Sequence, residues 1–322
     1  MTYFQSAIKV IVIIGPTAVG KTAVALRVAP ALNAEIISAD ARQIYRHLEI
    51  GSGAPTKDEL NRIRHHLVGV SEPDVRLSAG QFAVMAREAM EDIRQRGRIP
   101  MVVGGSGLYI RAVIEGLVLI PPASPELRHT IENEIDKKGI AALISELAQV
   151  DPAYAAKVGP RDHKRLVRAL EVYRLTGKPF SWWHQSSHSA QCSLRNSRAS
   201  DNYLIYGLNR PRLELHSLIE RRVEAMLKAG WMEEVRCLID RYGSIANLPA
   251  PVLEVIGCRQ ITRCLAGEIP LEEARRQIVI ATRQFAKRQL TWFRADKRIE
   301  WLEQSGDDAP EHWANAIIGK FG

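Results

Sequence analysis

Short apolar runs rich in Val and Ile recur through the first third of the chain, and stretches with helical spacing separate them. Ile8–Ile14, Ala34–Ser38, His66–Val70 and Pro100–Val103 read as strands. Between the last two, Phe82, Met85, Ala89 and Ile93 recur at helical intervals within Ser78–Arg96, which reads as a crossover helix. Such alternation predicts an α/β fold with a parallel sheet wrapped by helices. Pro121, Pro122 and Pro125 then interrupt the pattern and open a charged segment that is helical to about Thr176. The polar, serine-rich stretch Ser186–Asp201 reads as a flexible return linker, after which Tyr203–Leu208 rejoins the sheet. Consecutive helices are expected from Pro211 to Arg294, and a last strand at Arg298–Leu302. The expected organisation is a first core segment over 1–120, an all-helical insertion over 121–200, and core completion with basic helices over 201–322.

A chain of 322 residues, 46% of them apolar, can bury a substantial core. Cys192, Cys237, Cys258 and Cys264 show neither paired zinc spacing nor the density of a disulfide scaffold, so reduced thiols are expected. No apolar run approaches the roughly 18 residues of a membrane span, and the N-terminus lacks the features of a signal peptide. A soluble, cytoplasmic, monomeric protein is expected. The formal net charge of +8 favours a polyanionic partner.

The sharpest local signal is Gly15–Thr22, a complete G-x-x-x-x-G-K-T directly after a strand and directly before a helix. Glycines let backbone N–H groups curl around phosphate oxygens, and the following helix presents its positive end. Lys21 adds a point charge, and the Thr22 hydroxyl can hold Mg²⁺. The loop recognises phosphates and not nucleosides; ATP is its default ligand. Asp40 closes the second strand, where ligands sit in open α/β sheets. It is equally readable as a general base, a Mg²⁺ ligand or the N-cap of a helix over Ala41–His47.

Together with Gly15–Thr22, six further segments resemble the tRNA dimethylallyltransferase family, bacterial type: Ser38–Arg46, Ile50–Thr56, His65–Leu67, Val103–Tyr109, Arg165–Tyr173 and Lys287–Arg294. The resemblance implies a P-loop NTPase-like core with an inserted helical domain that grips the tRNA anticodon stem-loop. It also implies transfer of a dimethylallyl group from dimethylallyl pyrophosphate to N6 of the adenine 3′-adjacent to the anticodon. Carried onto this sequence, Gly15, Thr17, Ala18, Val19, Gly20, Lys21 and Thr22 would cradle the pyrophosphate, with Arg222 as a second pyrophosphate cation and Asp40 as general base. Asp40, Ala41, Arg42 and Gln43 would contact the target nucleotides, while Ser106 and Arg128 would lie near the reaction channel. Lys164, Arg165, Leu166, Val167 and Arg168 would touch the tRNA. The chain departs from the family pattern at Ala41, Ala54, Ser106, Leu218 and Cys258. These departures bear on contacts to tRNA more than on the chemistry.

On Leu271–Arg294 the apolar residues Ala274, Ile278, Ala281, Phe285 and Trp292 fall on one helical face, with Arg276, Arg283, Lys287 and Arg294 nearly opposite. That stripe is readable as a solvated face or, with the adjoining Arg288, as an RNA surface. Trp182 and Trp183 read as packing of the insertion before base stacking. His65 and His66 lack a third ligand at metal spacing. Three rivals share the phosphate loop: a small-molecule kinase, a transferase acting on free AMP, and a nucleic-acid-binding ATPase. The Lys164–Arg168 cluster and the basic C-terminal helices fit the first two poorly. The third would need an acid after a later strand, where Gly104 and Gly105 stand instead.

Overall fold

The computed structural model describes residues 9–117, 120–121, 123–159, 162–186 and 202–321. The chain divides into two compact units, Met1–Ile114 with Ser200–Gly322, and Glu115–Ala199.

The first unit is built on six parallel strands: β1 (Lys9–Ile14), β2 (Ala34–Ala39), β3 (His65–His66), β4 (Ile99–Gly104), β5 (Asn202–Asn209) and β6 (Glu300–Glu303). Their order across the sheet is β3-β2-β4-β1-β5-β6. Central strands covered on both faces must be apolar throughout, and Val10–Ile14 are at most 1% exposed. Ile14 pairs with Gly104 and Gly207, and Gly104 also pairs with Ala39, so the carboxyl ends of β1, β2 and β4 finish level while β5 runs two residues further to Asn209. Everything that follows these ends, namely Gly15, Asp40 and Gly105, leaves the sheet along one edge. A Cβ on Gly104 would lie 2.1 Å from the Ala39 carbonyl oxygen, so the strand ends close up only because residue 104 is glycine.

The expected strand His66–Val70 shrinks to two residues. Leu67 turns the chain at φ 63, and the Val70 and Ser71 amides bond instead to the Ile44 carbonyl. The crossover helix runs Ala79–Gln95, with Ser78 and Gln81 forming a reciprocal cap at its start. The long C-terminal helix, Leu271–Arg294, buries Ala274, Ile278, Val279, Ala286, Gln289 and Phe293. Its buried stripe is therefore rotated from the expected one. Phe293 packs inward while Trp292 is 42% exposed.

The second unit is all-helical among its described residues: Pro125–Lys138, Ile140–Val150, Pro152–Ala155, His163–Thr176 and Phe180–Ser186. Ile131, Leu143, Leu147, Leu166, Val167, Leu170 and Phe180 form its core. Residues 187–201, where the return linker is expected, lie outside the described residues.

Candidate functional site

The phosphate loop depends on backbone conformations that its sequence permits. Gly15 and Gly20 take φ 154 and φ 111, and Ala18 is held at φ 65. A side chain at Gly15 would meet the Leu208 carbonyl at 2.7 Å, so the loop lies flush against the end of β5. Arg210, 7% exposed, braces it from behind: its Nε donates to the Val19 carbonyl at 3.1 Å and its guanidinium lies 5.1 Å from the centre of the Trp313 ring. Lys21 opens the helix Lys21–Ala31 and folds back, its Nζ donating to the carbonyls of Gly15 at 3.0 Å and Pro16 at 2.8 Å. Burial pushes the Lys21 ammonium down to about 8, against the pull of the Asp40 carboxylate and with a further push from Arg222. Thr22, Ser38, Gln43 and His65 line one small cavity together with Ala25, Ile36, Pro55 and Val103.

Asp40 does not cap a helix. Of the readings open for it, the N-cap of a helix over Ala41–His47 is excluded: that stretch is a run of turns, in which Asp40 Oδ1 accepts the amides of Arg42 at 2.8 Å and Gln43 at 3.4 Å. Gln43 then points back at the sheet: Ser38 Oγ donates to its Oε1 at 2.8 Å, and its Nε2 donates to the Gly53 carbonyl at 2.9 Å. The same carbonyl accepts Arg222 Nη2 at 3.5 Å. Gly53 sits at φ 60, and a Cβ there would lie 1.7 Å from Arg222 Nη2, so glycine is what lets the guanidinium approach. Burial lowers the Arg222 pKa below the usual arginine value, opposed by Asp40 and then by Glu59. Lys21, Asp40 and Arg222, separated widely in sequence, thus feel one another's charge at one edge of the sheet. Arg42 is held by Glu254 at 3.0 Å.

Ser106 follows β4 and grips the chain on both sides of Asp40. Its amide donates to the Ala39 carbonyl at 3.2 Å, and its hydroxyl accepts the Ala41 amide at 2.9 Å. The serine found where threonine is usual keeps the group that does this. The glycine-rich turn and the Lys287–Arg294 segment prove to be two sides of one contact. A Cβ on Gly105 would stand 2.3 Å from Gln289 Nε2, and one on Gly107 would stand 2.3 Å from the Trp292 indole nitrogen. Gln289 accepts the Thr17 amide at 2.8 Å and donates to the Gly105 carbonyl at 2.9 Å.

The remaining expected residues divide sharply. The side chains of Leu166 and Val167 are packed in the insertion's core, 1% and 3% exposed. The two residues directly follow Lys164 and Arg165, both exposed; Arg165 pairs with Asp162 at 3.3 Å. Arg128 and Arg168 converge on Glu171, a carboxylate with no exposed surface, at 3.0 and 2.6 Å. Glu171 also accepts the Ser124 amide at 2.9 Å. Both arginines therefore have structural work that the sequence did not disclose. On the C-terminal helix Lys287 and Arg288 are exposed, Arg283 pairs with Glu220 at 2.5 Å and Arg276 with Glu273 at 2.7 Å. Trp183 packs on the insertion core, whereas Trp182 is 39% exposed with Lys178 Nζ 5.3 Å from its ring centre. His66 Nε2 meets Glu35 at 2.7 Å and His65 Nδ1 meets the Ile63 carbonyl at 2.8 Å. Both histidines are thus engaged structurally. Among the described residues no group of three His, Cys, Asp or Glu could hold a metal ion. A cation at this site would rest on the Thr22 hydroxyl and on phosphate oxygens, a donor set that suits Mg²⁺.

Sequence reasoning overlooked Gln289, Glu171 and Arg210. For Gln289 and Glu171 the available signal was a polar side chain on the buried stripe of a helix, whereas Arg210, just past β5, lies in neither helix nor strand and gave none.

Comparison with known proteins establishes the family. The sequence profile of the IPP transferase family matches residues 43–296. A tRNA dimethylallyltransferase of Symbiobacterium thermophilum is 40% identical over 96% of this chain and 93% of its own length. One of Stenotrophomonas maltophilia is 41% identical over 95% of each chain. The crystal structure of the tRNA isopentenylpyrophosphate transferase of Bacillus halodurans superposes with a TM-score of 0.67 at 34% identity, covering 97% of this chain and 96% of that one. A eukaryotic dimethylallyltransferase described as acting on tRNA gives a TM-score of 0.79 at 26% identity over 98% of this chain and 79% of that one. No helix among the described residues is long and apolar enough to cross a membrane. With the family profile spanning both the loop that follows Asp40 and the helix that carries Gln289, the chain belongs to the IPP transferase family.

Proposed function

We propose that this protein transfers the dimethylallyl group of dimethylallyl pyrophosphate to N6 of the adenine 3′-adjacent to the anticodon of tRNA. The observation that carries the reading is the meeting of two cations, Lys21 and Arg222, with one carboxylate, Asp40, at the level carboxyl ends of the parallel strands. Breaking an allylic carbon–oxygen bond leaves positive charge on the allyl unit and negative charge on the departing pyrophosphate. The loop amides, Lys21 and Arg222 are fixed donors for that charge; one such donor is typically worth about 3 kcal/mol in a site that excludes water. Mg²⁺, held by Thr22 and the pyrophosphate, would supply further neutralisation of the leaving group.

Adenine N6 is a weak nucleophile because its lone pair is drawn into the ring, so it must be aimed. Asp40 keeps one carboxylate oxygen engaged with the Arg42 and Gln43 amides, which fixes its direction and leaves the other oxygen for the N6 proton. The base must leave the anticodon stack to reach it. The exposed Lys164 and Arg165 of the insertion, and Lys287 and Arg288 of the C-terminal helix, are the cations offered to an RNA backbone. Asp40→Ala should bind tRNA and inorganic pyrophosphate within about threefold of the wild-type protein while transferring about 100-fold or more slowly. Wild-type turnover in that variant would remove the general base from the scheme.

A further inference from the structure

The Leu271–Arg294 helix buries a glutamine among apolar residues. Gln289 is 6% exposed, flanked on the buried stripe by Ala286 and Phe293. A methionine of similar size would fill the same volume; packing alone does not call for an amide. What the amide does is join two backbone groups on different loops, the Thr17 N–H of the phosphate loop at 2.8 Å and the Gly105 C=O beyond β4 at 2.9 Å. Buried groups of this kind are expensive to leave unpaired. One residue further on, Ser106 bonds to Ala39 and Ala41, the two neighbours of Asp40. A continuous run of hydrogen bonds therefore leads from the loop that receives the pyrophosphate to the backbone that carries the carboxylate. The fit is mutual, because any side chain at Gly105 would drive into Gln289 Nε2.

We infer that Gln289 is a positioning residue that sets the spacing between the leaving group and the nucleophile by tying the phosphate loop to the Gly105–Ser106 turn beside Asp40. The inference rests on the proposed transfer reaction. In a displacement the attacking nitrogen, the allylic carbon and the departing oxygen must line up, and a misplacement of about 1 Å can cost about 100-fold in rate. Neither substrate needs to touch Gln289 for this to operate. Its loss should therefore fall on turnover more than on binding.

The test uses the full-length protein with Gln289→Met, which keeps the volume and removes both bonds, and Gly105→Ala, which keeps the glutamine and displaces its amide. Transfer of labelled dimethylallyl pyrophosphate to tRNA is measured with both substrates varied, alongside calorimetric titration of inorganic pyrophosphate and thermal unfolding. The account expects kcat to fall about 100-fold in Gln289→Met and to fall comparably in Gly105→Ala. The tRNA KM and the pyrophosphate affinity should stay within about threefold, at a temperature where both variants are folded. The double variant should be no slower than the slower single one, since both changes break the same tie. A full kcat with only a lowered unfolding midpoint would overturn the positioning role and leave Gln289 as a packing residue. Losses that add in the double variant would also overturn it. No transfer by the wild-type protein would overturn both this inference and the proposed function, whereas wild-type transfer with unaffected variants overturns the inference alone.

Discussion

Because the Lys21 ammonium titrates at about 8, its charge can be switched within a range the protein tolerates, and pyrophosphate binding should report it. In the free protein the group would be about nine-tenths protonated at pH 7 and about one-tenth at pH 9. An anion with several negative charges beside Nζ raises the pKa of the bound state, so binding takes up a proton once the pH exceeds 8. The sign follows: affinity is full below the free-state pKa and falls as pH rises through and above it. Between pH 7 and 9 the apparent affinity should drop about tenfold, or about 1.4 kcal/mol, from this group alone. Pyrophosphate has its own ionisations in this range, which calorimetric titration of a Lys21→Met variant records without the lysine. The ratio of wild-type to variant affinity should therefore shrink about tenfold over the interval. A ratio near one at both pH values would show that Lys21 does not bear the pyrophosphate charge, and a ratio well above one that stays constant from pH 7 to 9 would refute the lowered pKa instead.

Two substitutions probe the geometry around the site and in the insertion. Gly53→Ala places a Cβ 1.7 Å from Arg222 Nη2 and should displace the guanidinium, lowering kcat/KM for the pyrophosphate donor by about 100-fold; wild-type kinetics would exclude Arg222 from leaving-group stabilisation. Glu171→Ala removes the carboxylate that Arg128 and Arg168 share and should destabilise the insertion by about 3–5 kcal/mol, seen as lost hydrogen-exchange protection in His163–Thr176 but not in β1. Unchanged protection there would mean that the two arginines are held by something other than Glu171.

What the sequence disclosed and what it hid have physical causes. The parallel sheet was legible because Val10–Ile14 is buried on both faces and carries an uninterrupted apolar run, whereas the equally buried Ala34–Ala39 is broken by Glu35 and Ser38, which bond to His66 and Arg96 and to Gln43. The phosphate loop was legible because its backbone angles restrict Gly15 and Gly20 so tightly. The role of Asp40 stayed open in sequence because a carboxylate accepting amides two and three residues on looks the same whether a helix or an Asx turn follows. The inward face of Leu271–Arg294 was misplaced because one of its buried positions is Gln289, which breaks the apolar period at the place where the helix meets the phosphate loop. Glu171 was missed for the same reason. A buried polar group declares itself only when its partners are known, and Arg128 lies 43 residues from it in the chain. Charge runs had the opposite fault: Arg276 and Arg283 look available in sequence, yet Glu273 and Glu220 engage them.

The most direct test of the central claim is to incubate the purified protein with Mg²⁺, labelled dimethylallyl pyrophosphate and unmodified tRNA, with free AMP and ATP-only reactions in parallel. The account predicts label on N6 of the adenine next to the anticodon, no label in AMP and no consumption of ATP. Label confined to AMP, or ATP turnover with no label in tRNA, would contradict it.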